Sequence, residues 1–519
     1  MNRGDLIDQL HKTSESEWDI IVIGGGATGL GIALDASSRG YKTVLLEQSD
    51  FAKGTSSRST KLVHGGVRYL AQGDIFLVKE ALHERGLILK NAPHITSSQE
   101  FVIPIYRLWD AILFTVGLKF YDILAGRLRL GNSHFISREK TMRRLPMLKS
   151  DGLIGGVVYQ DGQFDDARLA IVLAKACIGF GGLPLNYVKV KGLLKDLNGK
   201  INGVAAEDIP GGTKFHIKGK LVINATGVFA DEIIRMDNPV SKPTIRPSQG
   251  VHLVLDTSFL QSKSAIMIPK TDDGRVLFAI PWYDKVVVGT TDTPIDLIDL
   301  EPVALEEEIR FILQTAQKYL VKPPERKDVL CIFAGLRPLA AVHDNSEATK
   351  EISRRHKIIL SSSKLLTITG GKWTTYRLMA EETINKAIRA GILKKRRCVT
   401  SDLALSKPCS DISENRLEIY GDQWKEILNL VDEDPRLGEI IDHRFPFMKA
   451  EIVWILRNEM VVTIEDVLAR RTRALFLDAR ASAEIAPVIA DIMAEELGFD
   501  ENWKRQQVND FNILVGNYI

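Results

Sequence analysis

Cysteine and unbalanced charge are both scarce in this sequence, and each shortage bears on the class of protein. Only four cysteines occur in 519 residues, none in a Cys-x-x-Cys pair, which argues against a disulfide scaffold and fits a reducing compartment. We expect Cys177, Cys331, Cys398 and Cys409 to be buried thiols. With 68 Lys and Arg against 66 Asp and Glu, the net charge is only +2. Nucleic acid is therefore not expected as the main partner, because binding to phosphates needs concentrated positive charge.

Long uncharged apolar runs are also missing. No window reaches the roughly 18 apolar residues of a membrane-spanning helix, and residues 1–19 contain no apolar core of signal-peptide length. We therefore expect a chain that is neither secreted nor threaded through a bilayer.

One stretch, 107–130, places apolar residues at helical spacing among basic residues. Such a helix either lies on a membrane, with its cations on anionic lipid, or packs its apolar face on the core of the protein. Periodicity alone favours the core-facing alternative. The apolar residues are Trp109, Ile112, Leu113, Val116, Phe120, Ile123 and Leu124, and the basic residues are Arg107, Lys119, Arg127 and Arg129.

Residues 19–48 predict a βαβ unit that binds a dinucleotide. A strand over 19–23, a helix over 27–39 and a strand over 43–46 place Gly24, Gly26 and Gly29 at the first strand-to-helix turn. There the glycines allow a tight turn, close approach of a pyrophosphate and close packing of the helix. Glu47 ends the second strand, where a carboxylate accepts ribose hydroxyls and repels the 2′-phosphate of NADP.

The remaining chain predicts a second sheet followed by helices. The β-rich runs 221–226, 251–255, 275–282 and 285–292 suggest a sheet built between halves of the nucleotide domain. From about residue 394 the pattern becomes helical, including 463–478 and 485–498, and Thr463 with Asp466 resembles a capping box. We predict an α/β fold with one domain over 18–390 and a helical C-terminal domain over 394–519.

Three further motifs are much more specific than the first glycine motif. They read His-Gly-Gly-Val-Arg-Tyr over 64–69, Gly-Leu-Arg-Pro-Leu over 335–339 and Gly-Gly-Lys-Trp-Thr-Thr-Tyr-Arg over 370–377. With them the chain resembles, along nearly its whole length, the FAD-dependent glycerol-3-phosphate dehydrogenases of the D-amino-acid-oxidase-like flavoprotein superfamily. The resemblance implies a Rossmann-type FAD-binding domain interleaved with an antiparallel-sheet substrate domain. It also implies oxidation of sn-glycerol 3-phosphate to dihydroxyacetone phosphate, with electrons passed from FAD to a membrane quinone.

The residue types at these motifs suit that reaction. Cations hold a substrate phosphate and a base takes the hydroxyl proton, and the resemblance implies His252, Arg337 and Lys372 as catalytic residues. His64 is the competing base, although contact with the cofactor is the expected role of its loop. Gln249 departs from the family pattern, in which several members carry Lys. The implied substrate-binding residues are Arg68, Tyr69, Arg337 and Lys372.

The resemblance also implies contacts to non-covalent FAD, since no Cys-His attachment motif occurs. No metal is expected, and no calcium-loop spacing is found. The expected partners are glycerol 3-phosphate, membrane quinone and a lipid surface that meets 107–130, with a homodimer as one assembly that fits and the inner face of the cytoplasmic membrane as the location. The cofactor-binding candidates are Gly24, Gly26, Gly29, Glu47, Thr55, Ser56, Ser59, Lys61, Leu62, His64, Gly65, Gly66, Val188, Ala225, Gly227, Gly371 and Thr374.

Three alternatives stay open on sequence grounds. A glycerol-3-phosphate oxidase that reduces O2 shares nearly every motif. An amine or 2-hydroxy-acid oxidase of the same superfamily shares the first βαβ unit but does not need Arg68, Arg337 and Lys372 around a phosphate. A nucleotide-holding scaffold without chemistry would keep only the first glycines.

Overall fold

A computed structural model describes residues 1–13, 16–71, 73–271, 274–340, 356–406 and 415–519. For Arg68, Ala71 and Asn415 it describes the backbone alone. Cys409 lies outside the described residues.

The described strands, in chain order, are β1 (Trp18–Ile23), β2 (Thr43–Leu46), β3 (Leu62–Val63), β4 (Thr96–Ile105), β5 (His134–Ser137), β6 (Gly155–Phe164), β7 (Leu183–Leu185), β8 (Val188–Lys195), β9 (Ile201–Asp208), β10 (Lys214–Asn224), β11 (Ile245–Asp256), β12 (Ala265–Ile268), β13 (Leu277–Trp282), β14 (Lys285–Gly289), β15 (Thr293–Pro294), β16 (Val329–Ala340), β17 (Lys357–Leu360), β18 (Leu365–Thr369), β19 (Ile440–Asp442) and β20 (Phe445–Met448).

The described α-helices are α1 (Arg3–Lys12), α2 (Ala27–Ser38), α3 (Val67–Ala71), α4 (Ile75–Asn91), α5 (Leu108–Ala125), α6 (Arg138–Arg144), α7 (Asp166–Gly179), α8 (Ala230–Asp237), α9 (Glu306–Tyr319), α10 (Tyr376–Arg389), α11 (Trp424–Glu433), α12 (Lys449–Asn458), α13 (Ala474–Leu477), α14 (Ala479–Leu497) and α15 (Glu501–Val515).

The first sheet has a parallel centre in the order β18-β10-β1-β2-β7. The apolar run of β1 is buried almost throughout, as a strand covered on both faces requires. Helix α2 packs close to it through small residues such as Gly29 and Ala33, which are buried. The βαβ unit predicted from residues 19–48 is confirmed to within one residue at each strand.

The second sheet has ten strands and is mostly antiparallel, with β12 and β4 as a parallel pair. Its strands come from two segments of the chain: β3–β6 lie between β2 and β7, and β11–β16 lie between β10 and β17. This arrangement confirms the predicted α/β class and the second sheet expected between halves of the nucleotide domain.

The C-terminal part of the chain is mainly helical and forms a core of its own, to which Val254, Trp282, Cys331 and Phe333 of the second sheet also belong. Buried ion pairs attach it to the rest of the chain. The guanidinium of Arg168 on α7 lies 2.7 Å from the carboxylate of Glu459. The predicted boundary near residue 394 stays a prediction.

The helical pattern over 463–478 is interrupted in the structure. Residues Asp466–Arg471 form a π-helix, and Arg473 has φ +67° before the short helix α13. The arginines at 470 and 471 pair with the buried carboxylate of Asp50, and the arginine at 473 pairs with that of Asp166. The reciprocal bonds between Thr463 and Asp466 are present as a capping box predicts.

The cysteines are placed unevenly. Cys177 and Cys331 are buried free thiols, as predicted, and burial raises the pKa of Cys177 to about 12. Cys398 is partly exposed and donates to the carboxylate of Asp35 at 3.0 Å, so the expectation of burial is wrong for this residue.

Helix α5 turns its apolar residues outward. Its buried residues are Leu118, Tyr121, Asp122 and Ala125, so the core-facing alternative for the apolar stripe is wrong. No helix in the part of the chain that the structure describes has the length and apolar character needed to cross a membrane. The exposed apolar residues of α5 are Leu108, Trp109, Ile112, Leu113, Val116, Phe120 and Ile123.

Candidate active site

The carboxyl ends of four neighbouring parallel strands meet at one edge of the first sheet. Gly24 follows β1, Glu47 follows β2, Ala225 follows β10, and Gly371 lies shortly after β18. From β1 the chain passes through α2 to β2 on one side of β1, whereas β10 pairs with β1 on its other side. This edge is therefore the topological switch point, where α/β sheets bind ligands. All four residues line one large cleft.

The glycines at this edge are required by close backbone approach. Gly24 has φ +106°, and a Cβ there would lie 2.7 Å from the carbonyl oxygen of Ala225. A Cβ on Gly29 would lie 1.8 Å from the carbonyl oxygen of Gly24. A side chain at Gly24 would push against the backbone that follows β10, and one at Gly29 would push α2 away from the turn after β1. The turn therefore fits the pyrophosphate cradle of a dinucleotide.

The carboxylate of Glu47 is oriented by backbone amides. It accepts from the amide of Gly25 at 2.6 Å and from the amide of Ser49 at 2.9 Å. Burial raises the pKa of Glu47, and the two amides act in the opposite direction. An oriented carboxylate at the end of the second strand suits the ribose hydroxyls of the ADP half.

The hydroxyl residues after Glu47 both line the cleft and hold its wall together. Thr55 donates to the carbonyl of Leu336 at 2.6 Å, and Ser56 accepts from the amide of Ala27 at 2.9 Å. Ser59 donates to Asp166 at 2.7 Å. The loop is therefore tied to β16 of the second sheet and to the starts of α2 and α7.

Four predicted cofactor residues lie outside the cleft lining, namely Gly29, Lys61, Gly65 and Val188. The amide of Val188 donates to the carbonyl of Glu47 at 2.7 Å, and its neighbours Lys189 and Val190 line the cleft instead. The amide of Gly65 donates to the hydroxyl of Tyr121 at 2.8 Å. Gly29 acts through helix packing, as described above.

Lys61 is the clearest difference between expectation and structure. Its ammonium is fully buried 2.8 Å from Asp166, and it also lies over the ring of Phe333 at 5.2 Å. Burial, with Arg473 nearby, lowers the pKa of Lys61 to about 7. This side chain therefore points away from the cleft that it was expected to line.

Arg337 lies at the opposite end of the cleft, where β16 pairs with β11. Its guanidinium donates to the carbonyl of Thr291 at 2.9 Å, to the hydroxyl of Thr290 at 3.2 Å and to Asp292 at 3.3 Å. A Cβ on Gly250 would lie 2.3 Å from this guanidinium. The side chain remains 24% exposed to the cleft, so it presents an oriented cation to a ligand.

Lys372 and Tyr69 form a second polar group in the same cleft. The ammonium of Lys372 lies over the ring of Tyr69, 4.0 Å from its centroid. Gly66, with φ +79°, brings the ring close, since a Cβ there would lie 2.4 Å from it. The predicted contact of Arg68 concerns a side chain outside the described residues.

His252 lies on β11 and lines the same cleft. Its ring is 2% exposed, stacks on Phe333 at 4.8 Å and shares a 2.9 Å hydrogen bond through Nε2 with the hydroxyl of Thr60. Burial, followed by the charges of Arg337 and Lys61, lowers the pKa of His252 well below its usual range. His252 is therefore neutral near pH 7, which a proton acceptor requires.

His64 lines the same cleft and is partly exposed. Its amide donates to the hydroxyl of Thr374 at 3.2 Å, which ties the predicted flavin loop to the loop that follows β18. Both candidate bases thus lie in one cleft.

Several residues that sequence reasoning missed complete the site. Glu308 on α9 is buried and accepts from the hydroxyls of Thr291 and Thr293, at 2.7 and 2.6 Å, and from the side chain of Gln249 at 2.8 Å. Gln249 therefore supports the segment under Arg337 and does not line the cleft. The sequence signal was the Gly-Thr-Thr-Asp run at 289–292, which ends the β-rich run 285–292.

Most of the predicted site residues are brought together in this single cleft. It runs from the glycine turn to the cations on β16 and after β18, and its shape suits an ADP group at one end and a redox ring with substrate at the other. The predicted residues in its lining are Gly24, Gly26, Glu47, Thr55, Ser56, Ser59, Leu62, His64, Gly66, Tyr69, Ala225, Gly227, His252, Arg337, Gly371, Lys372 and Thr374.

The family models match this arrangement in two parts. Residues 19–377 match the FAD dependent oxidoreductase family, and residues 362–504 match the C-terminal domain of alpha-glycerophosphate oxidase. The protein is therefore an FAD-dependent oxidoreductase.

Comparison with similar proteins identifies a narrower family among the FAD-dependent oxidoreductases. The chain is 40% identical to the mitochondrial glycerol-3-phosphate dehydrogenase of Bos taurus, covering 95% of this chain and 72% of the relative. Its fold matches the glycerol-3-phosphate dehydrogenase of Bacillus halodurans, complexed with FAD, with a TM-score of 0.80 and 31% identity over 100% of this chain and 98% of that one. The chain belongs to the FAD-dependent glycerol-3-phosphate dehydrogenase family.

A more distant structure shares the fold alone. L-alpha-glycerophosphate oxidase of Mycoplasma pneumoniae, with FAD bound, gives a TM-score of 0.57 at 17% identity, over 76% of this chain and 100% of that one.

Proposed function

We propose that this protein oxidises sn-glycerol 3-phosphate to dihydroxyacetone phosphate and passes the electrons to a membrane quinone. The assignment of the substrate rests on the guanidinium of Arg337. This group is held by Asp292 and by backbone carbonyls and lines the cleft that contains His252. Such a guanidinium binds phosphate through two parallel hydrogen bonds, and Lys372 adds a second positive charge.

Each group of residues in the cleft has a separate role in the proposed reaction. FAD, when bound, accepts the hydride from the carbon that bears the hydroxyl group. Arg337 and Lys372 hold the phosphate and thereby orient that carbon, His252 takes the hydroxyl proton, and the glycine turn with Glu47 holds the ADP half.

The apolar surface around α5 supports a membrane acceptor. Trp109 is 81% exposed, and Phe76 at the start of α4 is 82% exposed. Helices α4 and α5 pack on each other, so both residues belong to neighbouring elements. Exposed apolar surface of this extent, bordered by the exposed Arg107, Lys119 and Arg127, fits a lipid surface with anionic headgroups.

The same helix lies one apolar layer from the cleft. Leu118 on the inner face of α5 shares a core cluster with Phe101, Tyr159 and Met267, and these three side chains line the cleft. A quinone that enters from lipid beside α5 would thus have a short apolar route toward the redox ring. We accordingly propose a peripheral location on the inner face of the cytoplasmic membrane.

The visible spectrum of the purified protein tests the reaction. Anaerobic addition of glycerol 3-phosphate should bleach the flavin absorption, and a quinone analogue should restore it faster than O2 does. One peroxide per turnover in air would favour the oxidase alternative. Bleaching by amino or 2-hydroxy acids alone would favour the corresponding oxidases, and no bleaching would favour a nucleotide-holding scaffold.

A further inference from the structure

The imidazole of His252 borders the cleft but is largely enclosed, since the residue is only 2% exposed. Nδ1 is enclosed and has no hydrogen-bond partner among the described residues. One ring face stacks on Phe333, with 16° between the planes, and a Cβ on Gly289 would lie 2.5 Å from Cδ2. Nδ1 is therefore closed to a substrate hydroxyl, and a proton can reach the ring only at Nε2.

The remaining nitrogen, Nε2, faces one side chain. The hydroxyl of Thr60 lies 2.9 Å from it. Thr60 is half-buried and lines the cleft beside Ser59 and Leu62. Its hydroxyl therefore both contacts Nε2 and belongs to a residue that borders the space in which substrate and cofactor would meet.

The backbone around Thr60 is held firmly. The neighbouring Lys61 has φ +63°, and its ammonium donates to the carbonyl of Ser57 at 2.7 Å and to Asp166. On the other side, Ser59 is bonded to the same carboxylate. Both neighbours are anchored on Asp166, which holds the backbone at Thr60, and the 2.9 Å hydrogen bond places its hydroxyl against His252.

We propose that Thr60 is a catalytic residue that relays the substrate proton to His252. The inference rests on the proposed function. As the substrate C–H bond breaks and its electron pair leaves with the hydrogen to reduce FAD, the substrate O–H proton moves to Oγ1 of Thr60. The Thr60 proton moves at the same time to Nε2 of His252, so the products are a ketone, reduced flavin and a protonated imidazole.

A threonine hydroxyl suits this role because it donates one hydrogen bond and accepts others. Toward His252 it acts as donor, which requires the tautomer with its proton on Nδ1. Toward the substrate it acts as acceptor. The charged groups that act on His252 are Arg337 and Lys61, and both favour the neutral ring before the reaction begins.

Substitutions of Thr60 test the relay through the rate of anaerobic flavin reduction in a stopped-flow instrument. T60V keeps the shape without the hydroxyl and should slow reduction about 100-fold, the lower end of the range for general acid-base catalysis. T60S should stay within a few-fold of the parent rate. T60A should fall between these two, because the vacated space admits a water that bridges as the hydroxyl did. T315V removes a buried hydroxyl on α9 and is the matched control.

Two readouts do not depend on turnover. Flavin absorption per protein should be equal in the parent, T60S, T60A and T60V. The 15N shifts of His252 should report the Nδ1–H tautomer in the parent and T60S, and a mixture of tautomers in T60V. A proton inventory in mixed H2O and D2O should be bowed for the parent, since two protons move together.

The outcomes separate the relay from the function on which it rests. Equal reduction rates in the parent and T60V would overturn the relay alone, as would a T60A rate no higher than that of T60V, because Thr60 would then only orient the ring. If T60V loses its flavin, the parent proton inventory decides, and a straight line overturns the relay. No bleaching of the parent by glycerol 3-phosphate overturns the proposed function and the relay together.

Discussion

The guanidinium of Arg337 donates to the carboxylate of Asp292 across 3.3 Å, and the hydroxyl of Ser248 contacts the same carboxylate oxygen. Asp292 therefore orients this arginine while leaving it partly exposed to the cleft. The pair joins β16 to the segment after β14, which makes the proposed phosphate contact depend on the geometry of the second sheet.

Arg337→Ala should lower kcat/KM for glycerol 3-phosphate. The loss of transition-state stabilisation should be about 2–5 kcal/mol, the scale for truncating one partner of a buried charge pair. The feeble oxidation of glycerol should fall much less, because glycerol carries no phosphate. Steady-state kinetics with both alcohols checks the prediction, with the exposed Arg143→Ala as the control. Equal losses on both alcohols would show that Arg337 is not a phosphate ligand.

His252→Gln should slow the oxidation of glycerol 3-phosphate and of glycerol by the same factor, since both reactions require removal of the hydroxyl proton. A loss of about 100-fold in kcat is expected from general base catalysis. The comparison with His64→Gln identifies the base, because the residue that takes the proton affects kcat at unchanged flavin content. A larger kcat loss in the His64 variant would assign the base to His64.

Glu308→Gln should raise the KM for glycerol 3-phosphate by about tenfold, because an amide nitrogen would face groups that donate to the carboxylate. These donors include Thr291 and Thr293, which flank Asp292 in sequence. Glu306→Gln, at the exposed start of the same helix, is the matched control. An unchanged KM in the Glu308 variant would contradict its role in supporting Arg337.

Glu47→Arg should remove most of the flavin from the purified protein. The new side chain would replace an acceptor of ribose hydroxyls and lose the two backbone amides that now orient the carboxylate. Absorbance near the flavin maximum relative to protein checks this, with the exposed Glu17→Arg as the control. Normal flavin content would remove Glu47 from the ADP site.

Replacing Leu113, Val116 and Phe120 by Ser should release the protein from anionic liposomes in a flotation assay. These side chains are 66%, 62% and 40% exposed on α5, so the change should leave the fold intact and remove apolar area that lipid would cover. Serine at the exposed Leu197, Val240 and Ile513 is the matched control. A folded α5 variant that still floats would exclude this surface.

Glu459→Gln should lower the free energy of unfolding at pH 7 by about 3–5 kcal/mol, because it leaves a buried charge without its partner. Burial raises the pKa of Glu459, but the positive charges of Arg168 and Lys175 outweigh burial and lower this pKa to about 2. The contribution is thus present above the unfolded pKa near 4.5 and is lost as the pH falls toward 2. Urea unfolding at pH 7 and pH 3 measures it, and an equal loss at both values would contradict the assignment. Glu139→Gln, in an exposed pair, should change little.

The local features of this protein could be predicted from its sequence. Glycine spacing between apolar runs specifies the turn after β1, and an acid at the end of the next strand predicts a ribose contact, since both follow from short-range backbone geometry. The longer motifs, such as the run containing Arg337, identified the family and with it the cofactor.

Only the tertiary structure decided which groups meet. Glu47 and Gly371 come together because parallel strands end at one edge of the sheet, and no local pattern encodes that distance. Lys61 was expected to line the cleft together with Glu47 but is buried on Asp166, because a charge removed from water must find an opposite charge. The outward face of α5 was likewise ambiguous in sequence, since periodicity reveals a stripe of apolar residues and not the side that it faces.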